Sequence, residues 1–432
     1  NQIVYLPIEY DSREFDSKLL LACILLERNI TVVIGQQWMI YANFDRLPPG
    51  VVLFKSANMI HHPAMQEARR NGHVAISFEE ESLAHTNEDV LEKFFTRSLF
   101  DSADAVFCVG EFEAGIIRKK APTNFPIHVV GNGRIELLKP HYRNYFASEI
   151  EQVKRKYGDF ILVNTNFTLI NSAWQDRKTI EEIEIRSGAL DPADPASVAR
   201  WEEHFKFEEL NYQLTVELVK ELSSKYPDRQ IIVRPHPGEH LQRWDGVFEN
   251  SKNVHVLREG SHVHWTLACK VLIHTSCTTG FEAFVAGCQV VSLTPFETPY
   301  SQSMLINRVT SAQQTKAEAL TTVEKSLTGN SMTRQLSTEL HRQIEKFVWN
   351  FAGNNSCTET FDVLQGYLRP AKELNPELLR HLQRSENIDR KINISPHEFA
   401  NRLEKMMDVL RLRTSVDLNV LGNSLFQLNV IK

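Results

Sequence analysis

The sequence predicts an α/β protein of two Rossmann-like domains, whose parallel sheets face a central cleft, with helices at the C-terminal end. Short apolar strands recur between helical segments without polar alternation, which is typical of parallel sheets covered on both faces. This series of strands occurs twice, each time over about 150 residues, which is an ordinary domain size. The chain has 432 residues, enough for two or three domains.

The first domain is predicted to cover 1–150. Its apolar segments are short and end at glycine or polar residues, as the strands of a parallel sheet do. The predicted strands cover 2–7, 30–34, 51–54, 73–76, 104–109 and 127–130. Helices are predicted over 16–27 and 65–71, and the second of these ends at Gly72.

The second domain is predicted to cover 151–315 and to repeat the pattern. Its predicted strands cover 160–163, 230–233, 254–256, 270–273 and 289–293. A polar insertion that contains 191–195 follows the first of these strands, and a helix is predicted over 212–226. The remaining chain, 316–432, is predicted to be helical, over 316–327, 332–351, 376–384 and 396–412. The sequence leaves open whether this region crosses back to the first domain or docks on a partner.

Composition narrows the functional class. Hydrophobic residues make up 42% of the chain and charged residues 24%, which is ordinary for a globular protein. The net charge of −6 argues against nucleic acid as a partner, because binding a phosphate backbone needs a dense Lys/Arg surface. No apolar run approaches the ~20 residues of a membrane helix. The six cysteines form no Cys-x-x-Cys pair. We therefore expect a cytoplasmic protein with free thiols and no zinc site.

The strongest local signal is Arg234-Pro235-His236-Pro237, directly after the predicted strand 230–233. Open α/β sheets bind ligands in loops at the carboxyl ends of their strands. The two prolines restrict the backbone, so Arg234 and His236 can be presented to a phosphate at little entropic cost. The alternative interpretation is a proline-stiffened turn with a surface histidine.

A second signal is the segment 274–282, which follows the predicted strand 270–273 and begins a helix. Hydroxyl groups and a glycine at a helix start gather backbone N–H groups at the positive helix end, which suits a nucleotide phosphate. Simple N-capping is the alternative, but the loop 234–237 is predicted to open on the same sheet edge. The residues predicted to bind the ligand here are His274, Thr275, Ser276, Thr278, Thr279 and Glu282, the last as acceptor for a ribose hydroxyl.

Acidic residues follow the strand 73–76 of the first domain, at Glu79, Glu80 and Glu81. A carboxylate buried at this sheet edge would have a raised pKa and could remove a proton from an acceptor hydroxyl. We predict Glu80 and Glu81, together with His236, as catalytic residues. The alternative is an acidic helix start that the helix dipole stabilises.

Asn164 and Asn166 follow the first strand of the second domain, where amides could bind sugar hydroxyls or a phosphate, or cap a turn.

Three familiar patterns are missing from the sequence, namely Gly-x-Gly-x-x-Gly, the P-loop and Asp-x-Asp. We therefore expect no NAD or FAD, no P-loop chemistry, no metal ion and no cofactor beyond a nucleotide substrate. Helix dipoles, Arg and His would hold that nucleotide.

These motifs together resemble bacterial surface-carbohydrate biosynthesis proteins and, more distantly, the β-Kdo transferases of capsule and O-antigen synthesis, which have the GT-B fold. The resemblance covers roughly 1–310 and rests on five segments and on Pro295-Phe296. The segments are 15–20, 79–83, 131–134, 234–237 and 278–283. It implies a CMP-activated sugar such as CMP-Kdo as donor. It also implies that His236 contacts the nucleotide phosphate, as do Ser276, Thr278 and Thr279.

The chain departs from that family at two places. The retaining Kdo enzymes carry an acidic nucleophile where this chain has Asn164 and Asn166, and an amide is a poor nucleophile. A covalent double displacement at this position is therefore not predicted. Gly133 stands where the family pattern has proline.

The resulting hypothesis is a metal-independent glycosyltransferase that moves a Kdo-like sugar from a CMP-sugar to a hydroxyl of a surface polysaccharide or lipopolysaccharide. Nucleotide sugar and glycan acceptor are the expected partners. Peripheral association with the inner membrane or with glycan assembly enzymes stays open. The alternatives are a polyol-phosphate transferase, a UDP-sugar 2-epimerase of the same architecture, and a degenerate, non-catalytic scaffold of glycan assembly.

Overall fold

The structure is a computed structural model, which describes residues 1–84, 86–92, 94–173, 176–310, 312–329, 336–383 and 385–431. The chain divides into two compact units. Unit 1 comprises Asn1–Ser82, Phe94–Tyr145 and Arg342–Lys432, and unit 2 comprises Leu83–Lys93 and Phe146–His341. Each unit contains its own sheet.

The strands in chain order are β1 (Ile3–Ile8), β2 (Thr31–Gln36), β3 (Val51–Phe54), β4 (Val74–Phe78), β5 (Ala105–Cys108), β6 (Ile127–Val129), β7 (Ile161–Asn164), β8 (Ile231–Arg234), β9 (Val254–Val256), β10 (Val271–His274), β11 (Val290–Leu293), β12 (Ala312–Gln313), β13 (Val416–Gly422) and β14 (Leu425–Val430).

The first helices are α1 (Asp11–Glu27), α2 (Gln37–Tyr41), α3 (His62–Arg70), α4 (Glu88–Leu91), α5 (Arg97–Ser102), α6 (Glu111–Lys120), α7 (Gly133–Leu137), α8 (Ala147–Tyr157), α9 (Arg177–Ser187) and α10 (Pro195–Lys225). They are followed by α11 (His262–Ala268), α12 (Thr278–Val285), α13 (Pro299–Ser303), α14 (Leu305–Val309), α15 (Lys316–Thr328), α16 (Thr338–Phe347), α17 (Ser356–Leu364), α18 (Glu386–Asp389) and α19 (Pro396–Leu410). Within the described ranges, no helix is both long and apolar enough to cross a membrane.

The sheet of unit 1 has the strand order β13-β14-β2-β1-β3-β4-β5-β6. Strands β1 to β6 pair in parallel. Every residue of β1, β2 and β3 is buried, as expected for strands covered on both faces. The antiparallel hairpin of β13 and β14 extends this sheet beside β2.

The sheet of unit 2 has the order β12-β11-β10-β7-β8-β9, and all its pairs are parallel. From β7 the chain runs outward through β8 to β9, then returns to the other side of β7 to form β10. The strand order therefore reverses between β7 and β10, which is the position where open α/β sheets bind ligands. The prediction of an α/β protein with two parallel, Rossmann-like sheets is confirmed.

The polar insertion of the second domain is more helical than its composition indicates. It contains α9 and the beginning of α10, a helix that starts at Pro195 rather than near 212. The Asp194 side chain caps α10 by accepting from the N–H groups of Ala196 and Ser197, and Pro195 occupies its first turn. Further along, Leu218, Val219 and Leu222 of α10 pack on the core of the sheet.

The C-terminal chain from Arg342 onward is part of unit 1. Of the helices predicted here, 316–327, 332–351 and 396–412 correspond to α15, α16 and α19, whereas the described part of 376–384 contains only a 3-10 turn at Pro376–Leu378. The prediction misses α17, α18 and the hairpin, in which Phe426 pairs with Ile34 and Leu428 with Val32. The alternation of apolar and polar residues from Val416 to Val420 is the sequence signal for a strand there. Parts of two predicted helices, at 330–335 and at Arg384, lie outside the described residues.

Candidate functional site

The loops of interest in unit 2 all leave the carboxyl edge of its sheet. Asn164, at the end of β7, pairs in register with Arg234 at the end of β8 on one side and with His274 at the end of β10 on the other. The segments 164–167, 234–237 and 274–278 therefore lie side by side at the reversal of strand order. The sequence prediction that the loops after β8 and β10 open on one edge is confirmed.

Arg234 is buried, and its guanidinium is held by protein groups. It donates to the carbonyl oxygens of Glu259 and Gly260, at 2.7 and 3.0 Å, and lies 5.0 Å from the ring centre of Trp265. Burial lowers the pKa of Arg234 to about 9, so the group stays charged at neutral pH. In this arrangement the arginine positions the 259–260 loop and supplies positive charge from within the sheet edge.

His236 is half-buried, and its ring is oriented by the loop that carries it. The N–H of Gly238 donates to Nδ1 of His236 at 3.0 Å, so the proton of the neutral ring resides on Nε2. The backbone N–H of His236 donates to Oε1 of Glu239. The two proline positions and these two bonds fix the imidazole with Nε2–H as its donor side.

The loop before α12 contains a strained residue. Ser276 has a φ of 61°, which is uncommon for a residue with a side chain. Its hydroxyl accepts from the Asn307 amide at 2.9 Å, and its carbonyl oxygen accepts from the Tyr300 hydroxyl at 3.2 Å. Two neighbouring residues thus hold a backbone conformation that turns the chain sharply into α12. Such strain clusters at ligand-binding sites.

His274 is fully buried under this loop, and both of its ring nitrogens bond to protein groups. Its Nε2 lies 2.7 Å from the Ser292 hydroxyl, and its Nδ1 accepts from the N–H of Cys277 at 3.3 Å. Burial lowers the pKa of His274 to about 3, so the ring is neutral. A Cβ atom at Gly280 would lie 2.5 Å from this ring. The sequence predicted His274 to bind the ligand; its packing shows that it supports the loop from below.

The hydroxyl groups predicted to bind phosphate fall into two sets. Those of Thr275 and Ser276 are buried and bonded within the protein, with Thr275 accepting from the N–H of Asn166 at 2.9 Å. Thr278 and Thr279 lie at the start of α12. Thr279 accepts from the Asn164 amide at 3.2 Å, whereas the Thr278 hydroxyl has no hydrogen bond to any residue in the described ranges.

Asn164 occupies the switch point itself and is only 4% exposed. Its side-chain oxygen has no hydrogen-bond partner among the described residues, although its nitrogen donates to Thr279. Whichever way the amide is turned, one of its ends lacks a partner. Buried polar groups are rarely left unsatisfied, so this end of the amide is available to a ligand or a water molecule. Asn166, next to it, donates from its amide to the Tyr300 hydroxyl.

Glu282 is predicted to accept from a ribose hydroxyl and lies buried on α12. Its carboxylate is paired with the ring Nε2 of His262, at the start of α11. The sequence does not indicate this partner, because His262 is 20 residues away and belongs to no motif. The pair places a carboxylate and an imidazole beside the first turn of α12.

Two buried carboxylates behind these loops were also missed. Glu239 lies two positions after the Arg-Pro-His-Pro segment and accepts from several groups of the loops after β7 and β8. Glu208, on α10, accepts from the N–H groups of Leu169 and Ile170 at 2.9 and 3.2 Å. An acidic residue two positions after a rigid strand-end loop was a usable signal for Glu239, whereas Glu208 carried none.

A polar pocket of about 450 Å³ opens beside the carboxyl end of β11. Among the residues that line it are Thr86, Thr294, Glu297, Gln302, Asn307 and Arg308. Asn307 connects this pocket to the strained loop, since its amide nitrogen donates to the Ser276 hydroxyl. Amide, hydroxyl and guanidinium groups of this kind suit a polyhydroxylated ligand.

In unit 1, Glu79 and Glu80 lie at the carboxyl edge of β4, where burial raises the pKa of each. Glu79 accepts from the Ser56 hydroxyl and the Ala57 N–H, and its pKa rises to about 7. An oxygen of Glu80 lies 3.4 Å from Nζ of Lys18, a buried lysine. The raised pKa is a property of a general base, whereas the Lys18 ammonium acts in the opposite direction and favours the charged carboxylate.

Glu81 differs from its two neighbours because it is paired with arginines. It lies 2.7 Å from Arg13 and 3.1 Å from Arg134, and its side chain is 42% exposed. The two ion pairs stabilise the charged form of Glu81. Of the two predicted bases, Glu80 is the one whose surroundings suit proton transfer.

No group of three or more His, Cys, Asp or Glu side chains in the described part of the chain is arranged to hold a metal ion.

Comparison with known proteins identifies the fold but no family. No family model matches the chain, and no curated protein matches it. The UDP-GlcNAc 2-epimerase of Methanocaldococcus jannaschii, in complex with UDP-GlcNAc and UDP, is 12% identical, with 84% of this chain and 99% of that chain covered and a TM-score of 0.50. UDP-GlcNAc 2-epimerase from Neisseria meningitidis bound to UDP-GlcNAc is 11% identical, with 84% of this chain and 99% of that chain covered and a TM-score of 0.49. Anabaena HepE in complex with UDP and glucose is 12% identical, with 84% of this chain and 98% of that chain covered and a TM-score of 0.37.

At this level of identity the likeness concerns architecture alone. Two parallel Rossmann-like sheets in this strand order give the chain the GT-B fold, which it shares with the M. jannaschii epimerase over nearly that enzyme's whole length. Fold alone does not define a reaction.

Proposed function

We propose that this chain is an enzyme that acts on a nucleotide-activated sugar, and that unit 2 binds the nucleotide. The observation that carries the proposal is Asn164, whose buried amide lacks a partner at one end among the described residues and which lies at the reversal of strand order. The strained Ser276 and the start of α12 lie beside it. A ligand with hydrogen-bonding groups would satisfy the amide.

The same sheet edge supplies what a nucleotide phosphate needs. The start of α12 places the positive end of a helix at this edge. The Thr278 hydroxyl and Nε2–H of His236 are donors of the right type, and Arg234 adds buried positive charge. The polar pocket beside β11 is our candidate for the sugar subsite.

For the reaction, 2-epimerisation of a UDP-sugar is the candidate supported by the architecture, since the M. jannaschii neighbour is a UDP-GlcNAc 2-epimerase. Inverting a carbon that carries hydrogen requires one group to remove that proton and another to return a proton on the opposite face, and a carboxylate whose pKa burial raises, as at Glu80, suits the first role. The amides at 164 and 166, in place of an acid, are compatible with a reaction that forms no glycosyl-enzyme intermediate.

Glycosyl transfer from a CMP-sugar such as CMP-Kdo is the second candidate. It is supported by the Arg-Pro-His-Pro segment and by the hydroxyl-rich start of α12, on which the resemblance to Kdo transferases rests. In this case Thr278, Thr279 and His236 would stabilise the charge that develops on the departing phosphate. Glu80 would then activate the acceptor hydroxyl.

Nucleotide binding is tested first, by isothermal titration of the full chain with UDP, CMP and GDP. We expect one nucleotide to bind clearly better than the others. Thr278→Val should weaken that binding about tenfold, the effect of losing a charge-assisted hydrogen bond. Thr321→Val is the matched control, because that hydroxyl lies on the exposed face of α15 and bonds only its own helix. Absence of binding by all three nucleotides contradicts the proposal.

The reaction is tested by product analysis. Incubation with UDP-GlcNAc alone, followed by NMR of the sugar protons, detects inversion at C2. Incubation with CMP-Kdo and a lipopolysaccharide acceptor, followed by measurement of free CMP, detects transfer. Inversion supports the first candidate and CMP release the second. Tight binding of a nucleotide without turnover of either sugar nucleotide would favour a scaffold.

A further inference from the structure

One buried carboxylate connects the loops of the nucleotide site. Glu239 is only 1% exposed and accepts five hydrogen bonds. To Oε1 donate the Thr165 hydroxyl at 2.6 Å, the His236 N–H at 3.0 Å and the Phe167 N–H at 3.2 Å. To Oε2 donate the Asn171 amide at 3.0 Å and the Trp244 indole N–H at 3.1 Å.

The donors come from two different strand-end loops. Thr165, Phe167 and Asn171 belong to the segment after β7, and His236 belongs to the segment after β8. The backbones of the two segments are also paired, since Ala173 N–H donates to the Gly238 carbonyl and His240 N–H to that of Asn171. These contacts form a junction between the two segments. The Glu239 carboxylate lies at its centre, and backbone hydrogen bonds join the segments around it.

The Glu239 carboxyl group makes this junction unusual, because burial raises its pKa and only hydrogen bonds favour its charged form. Every donor to its carboxylate is uncharged, and Glu239 forms no salt bridge with a described residue. A carboxylate without a counter-ion in the interior is costly unless several hydrogen bonds offset the loss of water. An uncharged amide or a smaller side chain could not accept from all five donors, so the residue type is matched to the junction.

We propose that Glu239 is a positioning residue of the nucleotide site, which holds the 164–171 and 234–240 segments in the shape that binds the nucleotide. The proposal rests on the proposed function and assigns to Glu239 no contact with the ligand. It acts through His236, whose N–H it accepts, and through the segment that begins at Asn164. Loss of the carboxylate should let the two loops separate while the sheet below stays folded.

Glu239→Gln is the test, and Glu208→Gln is its matched control. Glu208 is also a buried carboxylate of unit 2 and also accepts from the segment after β7, at Leu169 and Ile170. It has no bond to the loop after β8 within the described ranges. Gln at 239 keeps the volume, and the free side-chain oxygen of Asn171 could accept from the new amide, so the variant should fold.

The affinity of each variant for the nucleotide that wild type binds best is measured by isothermal titration, with thermal unfolding in parallel. We expect about a tenfold loss of affinity for Glu239→Gln and less than about a threefold loss for Glu208→Gln at comparable melting temperatures. Hydrogen exchange should quicken at 165–171 and 236–240 in Glu239→Gln without ligand, and stay slow in β7 and β8.

The outcomes separate the two proposals. Equal affinities of wild type and Glu239→Gln, or equal losses in both variants, overturn the positioning role and leave the nucleotide site standing. If wild type binds no nucleotide, the proposed function fails, and the role of Glu239 fails with it. Should Glu239→Gln not fold, Thr165→Val is measured instead, since it removes one donor and leaves the carboxylate in place; unchanged affinity there also overturns the role.

Discussion

The backbone N–H of Asn166 donates to the Thr275 hydroxyl over 2.9 Å, and this bond joins the loop after β7 to the loop after β10. Both residues belong to the edge of the sheet where the strand order reverses. The hydroxyl is buried, so water cannot take its place. Together with the bond from the Asn164 amide to the Thr279 hydroxyl, the Thr275 side chain sets the spacing of the two loops.

Replacement of Thr275 by Val keeps the shape of the side chain and removes the acceptor. A buried N–H without a partner costs about 1–3 kcal/mol, so the free energy of unfolding should fall by that amount. Thr275→Ser retains the hydroxyl and should lose clearly less stability. Urea denaturation of the three proteins measures the difference, and equal losses in both variants would show that the methyl group matters rather than the bond.

The sequence predicted the strands of both parallel sheets well because their signal is local. Apolar runs such as 51–54 and 271–273 are buried on both faces and end at polar or turn residues, so each could be recognised without its neighbours. The hairpin β13–β14 was missed because strand pairs at a sheet edge are half-exposed and carry a weaker pattern. Its partner β2 lies almost 400 residues earlier in the chain, and only the fold brings them together.

The candidate site was predicted in part for a related reason. Sequence motifs locate the loops at 234–237 and 274–278 but not the direction of each side chain. His274, at the last position of β10, is buried in the core, and its neutral ring packs against Gly280. The carboxylates of Glu208 and Glu239 act on backbone N–H groups of a distant loop, a contact that leaves no pattern in the sequence.

The buried ring of His274 makes stability depend on acid pH. Burial lowers the pKa of His274 from 6.5 to about 3. Between these values the unfolded chain binds a proton at this residue that the folded protein does not, so stability falls as the pH is lowered through this window. The slope approaches about 1.4 kcal/mol per pH unit for one residue.

Unfolding of His274→Gln should therefore depend less on pH between 6 and 4 than that of wild type, although the variant is less stable at pH 7. Urea denaturation across this range gives the two slopes. Identical slopes for wild type and His274→Gln would show that the ring is protonated in the folded state.

A buried carboxyl group in unit 1 makes stability depend on pH in the opposite direction from His274. Burial raises the pKa of Glu113 from 4.5 to about 8, and its Oε1 has no hydrogen-bond partner in the described residues. The folded protein keeps a proton that the unfolded chain releases above pH 4.5, so the contribution of this group is full below 4.5 and is lost as the pH rises through 8.

Glu113→Gln removes the titration and keeps an oxygen to accept from Val109 and Ser82. Relative to wild type, the variant should gain stability between pH 5 and 8, by about 1.4 kcal/mol per pH unit at most. Glu111→Gln, on the exposed side of the same helix, is the matched substitution measured beside it. A constant difference between Glu113→Gln and wild type over this range would contradict the raised pKa.

The docking of the C-terminal hairpin on unit 1 depends on one glycine. Gly35 in β2 has a φ of 138°, and a Cβ atom there would lie 1.9 Å from the carbonyl oxygen of Ser424. Leu425, at the start of β14, pairs with Gly35 in register. Gly35→Ala must therefore displace either the strand or the turn before it, and we expect a loss of at least about 3 kcal/mol in unfolding free energy. Hydrogen exchange should show β14 losing protection before β1 does.

Gly115→Ala is the matched control, because a Cβ atom at that position in α6 meets nothing within 4 Å. In a helix interior that change should stabilise by about 0.5–1 kcal/mol. If Gly35→Ala retains the protection of β14, the close approach of the two strands does not hold the hairpin in place.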